Sequence, residues 1–436
     1  TLKEEGQRVN HVNLKLSKNR DKVIIMKRLM VILMFMYSSA FASGGSISSD
    51  NRIDGMRPDA PELANAGDYK IGVRSDVFHH INQIDVLNIT EENDFPLYDR
   101  PLPVEIWYPA DTMENGGDYK DVYLRDGITK ATLYGSAVRG AEPLKADTKY
   151  PLIIVSHGYP GNRYLMSHFG ENLASKGYVV VSIDHTDSLY NDAAAFSSAL
   201  YNRPRDQKFV LNKISELNAT EGHYLYGMVD VNNAGLIGYS MGGYGAVINA
   251  GGNITEMVAG SKDYSPKEIL KAHTKSDEFD HHMSGLHFKA IMSIGPWGME
   301  RGIWDDAGLK NIHIPMFILA GSSDDTSGYE NGIRAIFDKS VNADRYMLTF
   351  ENAGHNAAAP IPAPKETADV KYPDSDRPLF GHYADAVWDT LRMNNIAQHY
   401  ATAYFGKMLK KQNDMDKHLK LFDDAKGLML DHQKAK

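Results

Sequence analysis

Ser240 lies in the stretch GLIGYSMGGYGA (residues 235–246), at the end of an apolar run and with glycines at Gly238, Gly242 and Gly243. A serine held on a sharp strand-to-helix turn needs small neighbours two residues to either side, because larger ones would collide with the adjoining strand and helix. The helix that follows aims backbone N–H groups and its dipole at the place where negative charge develops during acyl transfer. A serine hydroxyl is a weak nucleophile at neutral pH and needs a base, itself oriented by an acid. In such a chain the partners follow in the order Ser, Asp/Glu, His, each in a loop after a later strand. IPMFILAGSSDD supplies Asp324 and Asp325, and RYMLTFENAGHN supplies His355 behind Ala353 and Gly354. Asp324, three residues beyond Gly321, is the expected acid, with Asp325 the alternative. The two oxyanion donors are expected to be the N–H of Met241, just after the serine, and that of Tyr159 in SHGYPGNR. His157 in that loop reads as a brace acting through hydrogen bonds.

These loops require a scaffold, and the hydrophobic patterning predicts one. YPLIIVSHG, YVVVSIDH, NAGLIGYS, FKAIMSIG, IPMFILAG and RYMLTFENAGH read as short strands, most of them continuously apolar. RYLMSHFGENLASKG, RPRDQKFVLNKISELN, MGGYGAVINAGG and RMNNIAQHYATAYFGKMLKK read as helices. Strands of this kind interleaved with helices predict an α/β fold, a mostly parallel central sheet covered by helices on both faces. YKIGVRSDVF, IDVLNI and PVEIWYPA, ahead of this region, read as further strands. The polar stretch 255–286 reads as an excursion near the mouth of the site. Its His281–His282 pair has no further ligand at recognisable spacing, so neither a metal site nor a cofactor is expected.

Composition bounds the remaining choices. The chain has 436 residues, 42% hydrophobic and 24% charged, enough for one large core. A formal charge of −9 without a long basic run argues against a nucleic-acid partner. With no cysteine, neither a disulfide nor a thiolate nucleophile is available. Lys27 and Arg28, the apolar run after them and Ala40-Phe41-Ala42 form a signal-peptide pattern over residues 26–42, too short to span a bilayer. The chain therefore divides into an upstream segment outside the fold (1–25), the signal peptide (26–42), a flexible linker (43–51), a catalytic-type domain (52–410) and a C-terminal tail (411–436). Export to the periplasm or the medium is expected, with no stable membrane span in the mature chain.

From Met56 to Leu409 the sequence resembles the α/β-hydrolase superfamily. SHGYPGNRYLMSHFGENLASKGYVVVSIDHTDS is similar to the corresponding region of the platelet-activating-factor acetylhydrolase-like esterases. RPDAPELANAGDYKIGVR, RPRD and HYADAVWDTLRMNNIAQH resemble the bacterial predicted dienelactone hydrolase group. Dienelactone hydrolases proper use a cysteine where Ser240 stands. In the acetylhydrolases the acid lies at the position of Gly295, which leaves the next strand, and hence Asp324, to supply it, as in cutinases. GYSMGG and GPWG are also cutinase-like, and that resemblance implies that Trp297, with Tyr159, lines the substrate pocket. The resemblance implies a secreted serine hydrolase whose partner is a carboxylic ester. A non-catalytic binding protein and a peptidase of the same fold are the alternatives.

Overall fold

The structure, a computed structural model, describes residues 50–275, 285–373 and 375–436. The signal peptide, most of the linker and the His281–His282 pair therefore lie outside the described residues. An eleven-stranded sheet dominates these residues. Its main strands in chain order are β1 (Lys70–Ile84), β2 (Leu97–Asp111), β3 (Tyr150–Ser156), β4 (Val179–Ile183), β5 (Val229–Tyr239), β6 (Ala290–Ile294), β7 (Met316–Gly321), β8 (Arg345–Phe350) and β9 (Leu428–Gln433). Across the sheet they run β9-β8-β7-β6-β5-β3-β4-β2-β1. From β4 to β8 neighbouring strands are parallel, while β1 pairs antiparallel with β2, β2 with β4, and β9 with β8.

Continuous burial of the central strands follows from helices on both faces. Leu152 and Ile154 of β3 point into one core, with residues of α2 (Phe196–Ala219) and α3 (Met241–Asn249). Ile153 and Val155, between them, point into a second core with α1 (Ser167–Ala174) and α4 (Thr390–Lys410).

Several elements differ from the sequence expectation. IDVLNI is not a strand: β1 ends at Ile84, and Val86–Asn88 form a short 3-10 turn. Helix α2 begins at Phe196, well ahead of the RPRD segment, so Pro204 lies inside it. A proline there leaves the carbonyl one turn earlier without its N–H donor. The Tyr244 hydroxyl takes that place, donating to Leu200 O at 3.0 Å. The chain after residue 410 is not a separate tail, because β9 pairs with β8 from Arg345↔Gln433 to Phe350↔Leu428 and covers that edge of the sheet. At the other end of the chain, the last two linker residues are anchored. Asn51 donates to a Glu366 carboxylate oxygen at 2.9 Å and Asp50 pairs with Lys365 at 2.8 Å. An antiparallel pair, Asp118–Tyr123 with Lys130–Tyr134, forms a separate small sheet that the sequence reading did not anticipate.

Candidate active site

Ser240 joins β5 to α3 with φ 52° and ψ −110°, a left-handed conformation costly for a residue with a side chain. The surrounding glycines make this turn possible. A Cβ on Gly238 would lie 2.2 Å from Gly242 O, and one on Gly242 would lie 2.0 Å from Ser156 O. The turn is held by Ser240 N–H donating to Ile294 O at 2.9 Å and by Trp297 N–H donating to Ser240 O at 3.2 Å.

His355, in the loop after β8, brings Nε2 to 3.0 Å from Ser240 Oγ. Its Nδ1 lies 2.7 Å from Asp324 Oδ2 in the loop after β7. The other carboxylate oxygen, Oδ1, accepts the N–H groups of Thr326 and Ser327, each at 2.9 Å, which fixes the plane of the carboxylate. Asp325 is exposed and accepts a hydrogen bond from Thr326 Oγ1 at 3.3 Å. The structure thus brings Ser240, His355 and Asp324 into one hydrogen-bonded chain and leaves Asp325 outside it. Asp324 reaches the histidine from beside Gly295, where a Cβ would stand 3.2 Å from Asp324 Oδ2 and 3.3 Å from the His355 ring.

The loop after β3 approaches the serine closely. A Cβ on Gly158 would lie 3.3 Å from Ser240 Cβ and 3.1 Å from the Tyr239 ring, a tight fit that glycine avoids. The next residue is Tyr159. Among the described residues, its N–H and that of Met241 donate to no protein acceptor. His157 is buried, with Nδ1–H donating to Gly158 O at 2.7 Å and Nε2 accepting the His185 N–H at 3.2 Å. Burial, reinforced by the neighbouring Arg203, pushes its pKa well below the usual histidine range, so the ring is neutral and serves as a brace. Trp297 is half-buried. Its ring lies 4.9 Å from Phe196, which lies 5.0 Å from Tyr159, and the three form an aromatic row. Phe196 escaped the sequence reading, since it belongs to the unforeseen first turns of α2.

A second Ser-His-Asp alignment lies beneath the first. Ser156 Oγ is 2.8 Å from His185 Nε2, and His185 Nδ1 is 2.9 Å from Asp206 Oδ2. These three residues are 0% exposed, against 8% for Ser240. Arg100 binds both oxygens of Asp206, at 2.9 and 3.0 Å, and Gln207 donates to Ser156 Oγ at 2.8 Å. Burial brings the His185 pKa down to about 3. Alignment alone therefore does not distinguish the two groups. Access, the strained turn and the free N–H groups single out Ser240.

This strand order, with a serine turn after β5 and acid and histidine loops after β7 and β8, is that of the α/β-hydrolase fold. Residues 63–225 match the family model for platelet-activating factor acetylhydrolase, isoform II, a match that includes Tyr159 and ends ahead of Ser240. The platelet-activating factor acetylhydrolase of Cavia porcellus is 28% identical over 159 residues, 36% of this chain and 36% of that protein. The uncharacterized peptidase YuxL of Bacillus subtilis (strain 168) is 26% identical over 258 residues, 54% of this chain and 36% of that protein. The chain thus spans about a third of the length of these curated relatives. Among solved structures, a ferulic acid esterase from Streptomyces cinnamoneus superposes with a TM-score of 0.59 at 18% identity, covering 88% of this chain and 99% of that one. That likeness is one of fold.

Proposed function

We propose that the chain is a serine esterase acting on carboxylic esters. The observation that carries this reading is the Ser240–His355–Asp324 chain, at 3.0 and 2.7 Å, on a glycine-lined turn, with the Tyr159 and Met241 N–H groups unpaired among the described residues. In this mechanism His355 Nε2 takes the Ser240 proton as Oγ attacks the ester carbonyl, and Asp324 stabilises the resulting imidazolium. The Tyr159 and Met241 N–H groups bind the oxyanion. The intermediate collapses with His355 protonating the departing alcohol, which leaves an acyl group on Ser240. Water, deprotonated by His355, then hydrolyses the acyl-enzyme. The aromatic row of Tyr159, Phe196 and Trp297 offers an apolar wall for the substrate. Matches to acetylhydrolases named for ester cleavage support the reaction class.

The experiment is labelling with a fluorophosphonate probe together with hydrolysis of a p-nitrophenyl ester. Wild-type protein should label at Ser240, and Ser240→Ala should abolish labelling and lower turnover by about 10⁶-fold while staying folded. Turnover retained by Ser240→Ala would exclude the mechanism. Similarity to a Bacillus peptidase makes amide hydrolysis a second reading. Activity on a p-nitroanilide exceeding that on the p-nitrophenyl ester of the same acyl group would favour it. We further propose that the protein is exported, a reading supported by the signal-peptide pattern over residues 26–42. N-terminal sequencing of secreted or periplasmic protein should then begin at Ser43, and cytoplasmic protein retaining Met26 would defeat it.

A further inference from the structure

We propose that Arg203 is a positioning residue for the oxyanion hole: from beneath the loop after β3 its guanidinium holds the carbonyls of His157 and Gly158, which turns the Tyr159 N–H toward Ser240. This inference rests on the esterase reading above. Arg203 is 1% exposed, and no carboxylate pairs with it among the described residues. Asp206, one turn along the same helix, is occupied by Arg100 and His185. A buried guanidinium must place its donors somewhere. Here Nη1 donates to His157 O, and Nη2 reaches Gly158 O at 3.5 Å.

The peptide geometry gives this contact its consequence. In a trans peptide the C=O and the following N–H point in opposite directions. The bond between Gly158 and Tyr159 is trans, since the cis bond in this loop is the next one, Tyr159–Pro160. Gly158 O is held by His157 Nδ1–H at 2.7 Å with Arg203 Nη2 at 3.5 Å, and Arg203 Nη1 fixes the preceding carbonyl, so the Tyr159 N–H is aimed away from Arg203. That direction is the serine's side, where Gly158 passes against Ser240 Cβ.

Neighbouring side chains from the same turn of α2 tie down the rest of the loop. Gln207 holds Ser156 Oγ at 2.8 Å and Gly242 O at 3.0 Å, so it links the oxyanion loop to the serine turn. Asp206 holds His185, whose N–H donates to His157 Nε2. Space for this arrangement depends on Gly245 of α3, where a Cβ would lie 2.9 Å from Arg203 Cγ. The RPRDQ segment thus grips three consecutive residues of the loop from below. Burial lowers the Arg203 pKa to about 9, so its charge is poorly solvated, and negative charge developing across the peptide compensates it.

The test compares wild type, Arg203→Lys and Arg203→Met for kcat, KM, melting temperature and affinity for a trifluoromethyl ketone, which binds serine hydrolases as a tetrahedral oxyanion. Arg203→Met should lower kcat by ~10²–10³-fold, the scale of a lost oxyanion donor. KM should stay within about threefold, and ketone affinity should fall in parallel with kcat. Arg203→Lys should recover part of both. A folded Arg203→Met with wild-type kcat and ketone affinity overturns the proposal, as does a loss confined to KM. If Arg203→Met does not fold, Arg203→Lys decides: a parallel fall in kcat and ketone affinity supports the role, and wild-type values for both overturn it. Fluorophosphonate labelling of the wild type separates the two levels of inference. Absence of labelling at Ser240 removes the esterase reading itself, whereas labelled wild type with an unimpaired Arg203→Met removes only the role of Arg203.

Discussion

Replacing Asp324 by asparagine tests the geometry of the site at a single atom. In the native loop Oδ1 accepts two backbone N–H groups, from Thr326 and Ser327, at 2.9 Å. An asparagine keeps those bonds only by putting its amide oxygen in the same place, which turns its NH2 toward His355 Nδ1. Two donors would then face each other across the 2.7 Å now spanned by a hydrogen bond to the carboxylate. The ring escapes by adopting the tautomer with the proton on Nε2, which presents an N–H to Ser240 and removes the base. The expected loss is about 10⁴-fold in kcat, equivalent to about 5.4 kcal/mol at 1.36 kcal/mol per decade. Because the isosteric side chain keeps its backbone contacts, the melting temperature should change little. Asp325→Asn, altering an exposed carboxylate outside the chain, should keep kcat within about twofold. The assay is steady-state hydrolysis of a p-nitrophenyl ester with thermal melts of all three proteins. Asp324→Asn within tenfold of wild type, or Asp325→Asn as damaged as Asp324→Asn, would rule out Asp324 as the acid.

Two further substitutions probe the packing around the site and far from it. Gly242→Ala would put a Cβ 2.0 Å from Ser156 O, a clash with backbone that no rotamer relieves, so the serine turn must open. Urea unfolding should show a loss of about 3 kcal/mol or more, and ester hydrolysis should fall with it. Lys176 is half-buried on the α1–α4 side of the sheet, where Nζ donates to Leu63 O at 2.5 Å, Asn172 Oδ1 at 2.7 Å and Thr402 Oγ1 at 2.8 Å. Burial, with Lys410 nearby, brings its pKa down to about 7. Below that pH both folded and unfolded chains carry the proton and the burial cost is undiminished; between about pH 7 and the unfolded value near 10.4 the folded chain releases it first. Stability should therefore rise with pH across that window in wild type relative to Lys176→Met. Parallel pH dependences of the two melting temperatures would sink the assignment.

The sequence makes some of this architecture legible, for identifiable reasons. Strands buried on both faces are continuous apolar runs, so β3 through β8 can be read directly, and with them the loops that carry Ser240, Asp324 and His355. Choosing between Asp324 and Asp325 is harder, because adjacent carboxylates look alike until the backbone N–H groups of Thr326 and Ser327 turn one of them inward. Helix α2 is misread at its start because a proline ordinarily marks a first turn, and the Tyr244 hydroxyl that makes an interior proline tolerable is 40 residues away in the chain. Strand β9 is an edge strand of mixed character, LMLDHQ, whose pairing depends wholly on β8. The grip of α2 on the loop after β3 is least legible of all. RPRD is visible as a motif, but its buried arginine acquires meaning only when the carbonyls above it are located.

The glycine at position 295 also bears on how such a site can change over generations. It follows β6 next to Asp324, with φ 51°, and the space a side chain would fill there borders the same histidine ring. A side chain at position 295 would therefore crowd both the acid and the imidazole it orients, and would have to adopt a backbone conformation that favours glycine. In this chain the acid can change strands only if the Asp324–His355 pair rearranges first, so the bare glycine and the inward aspartate of the next strand are two halves of one fitted arrangement.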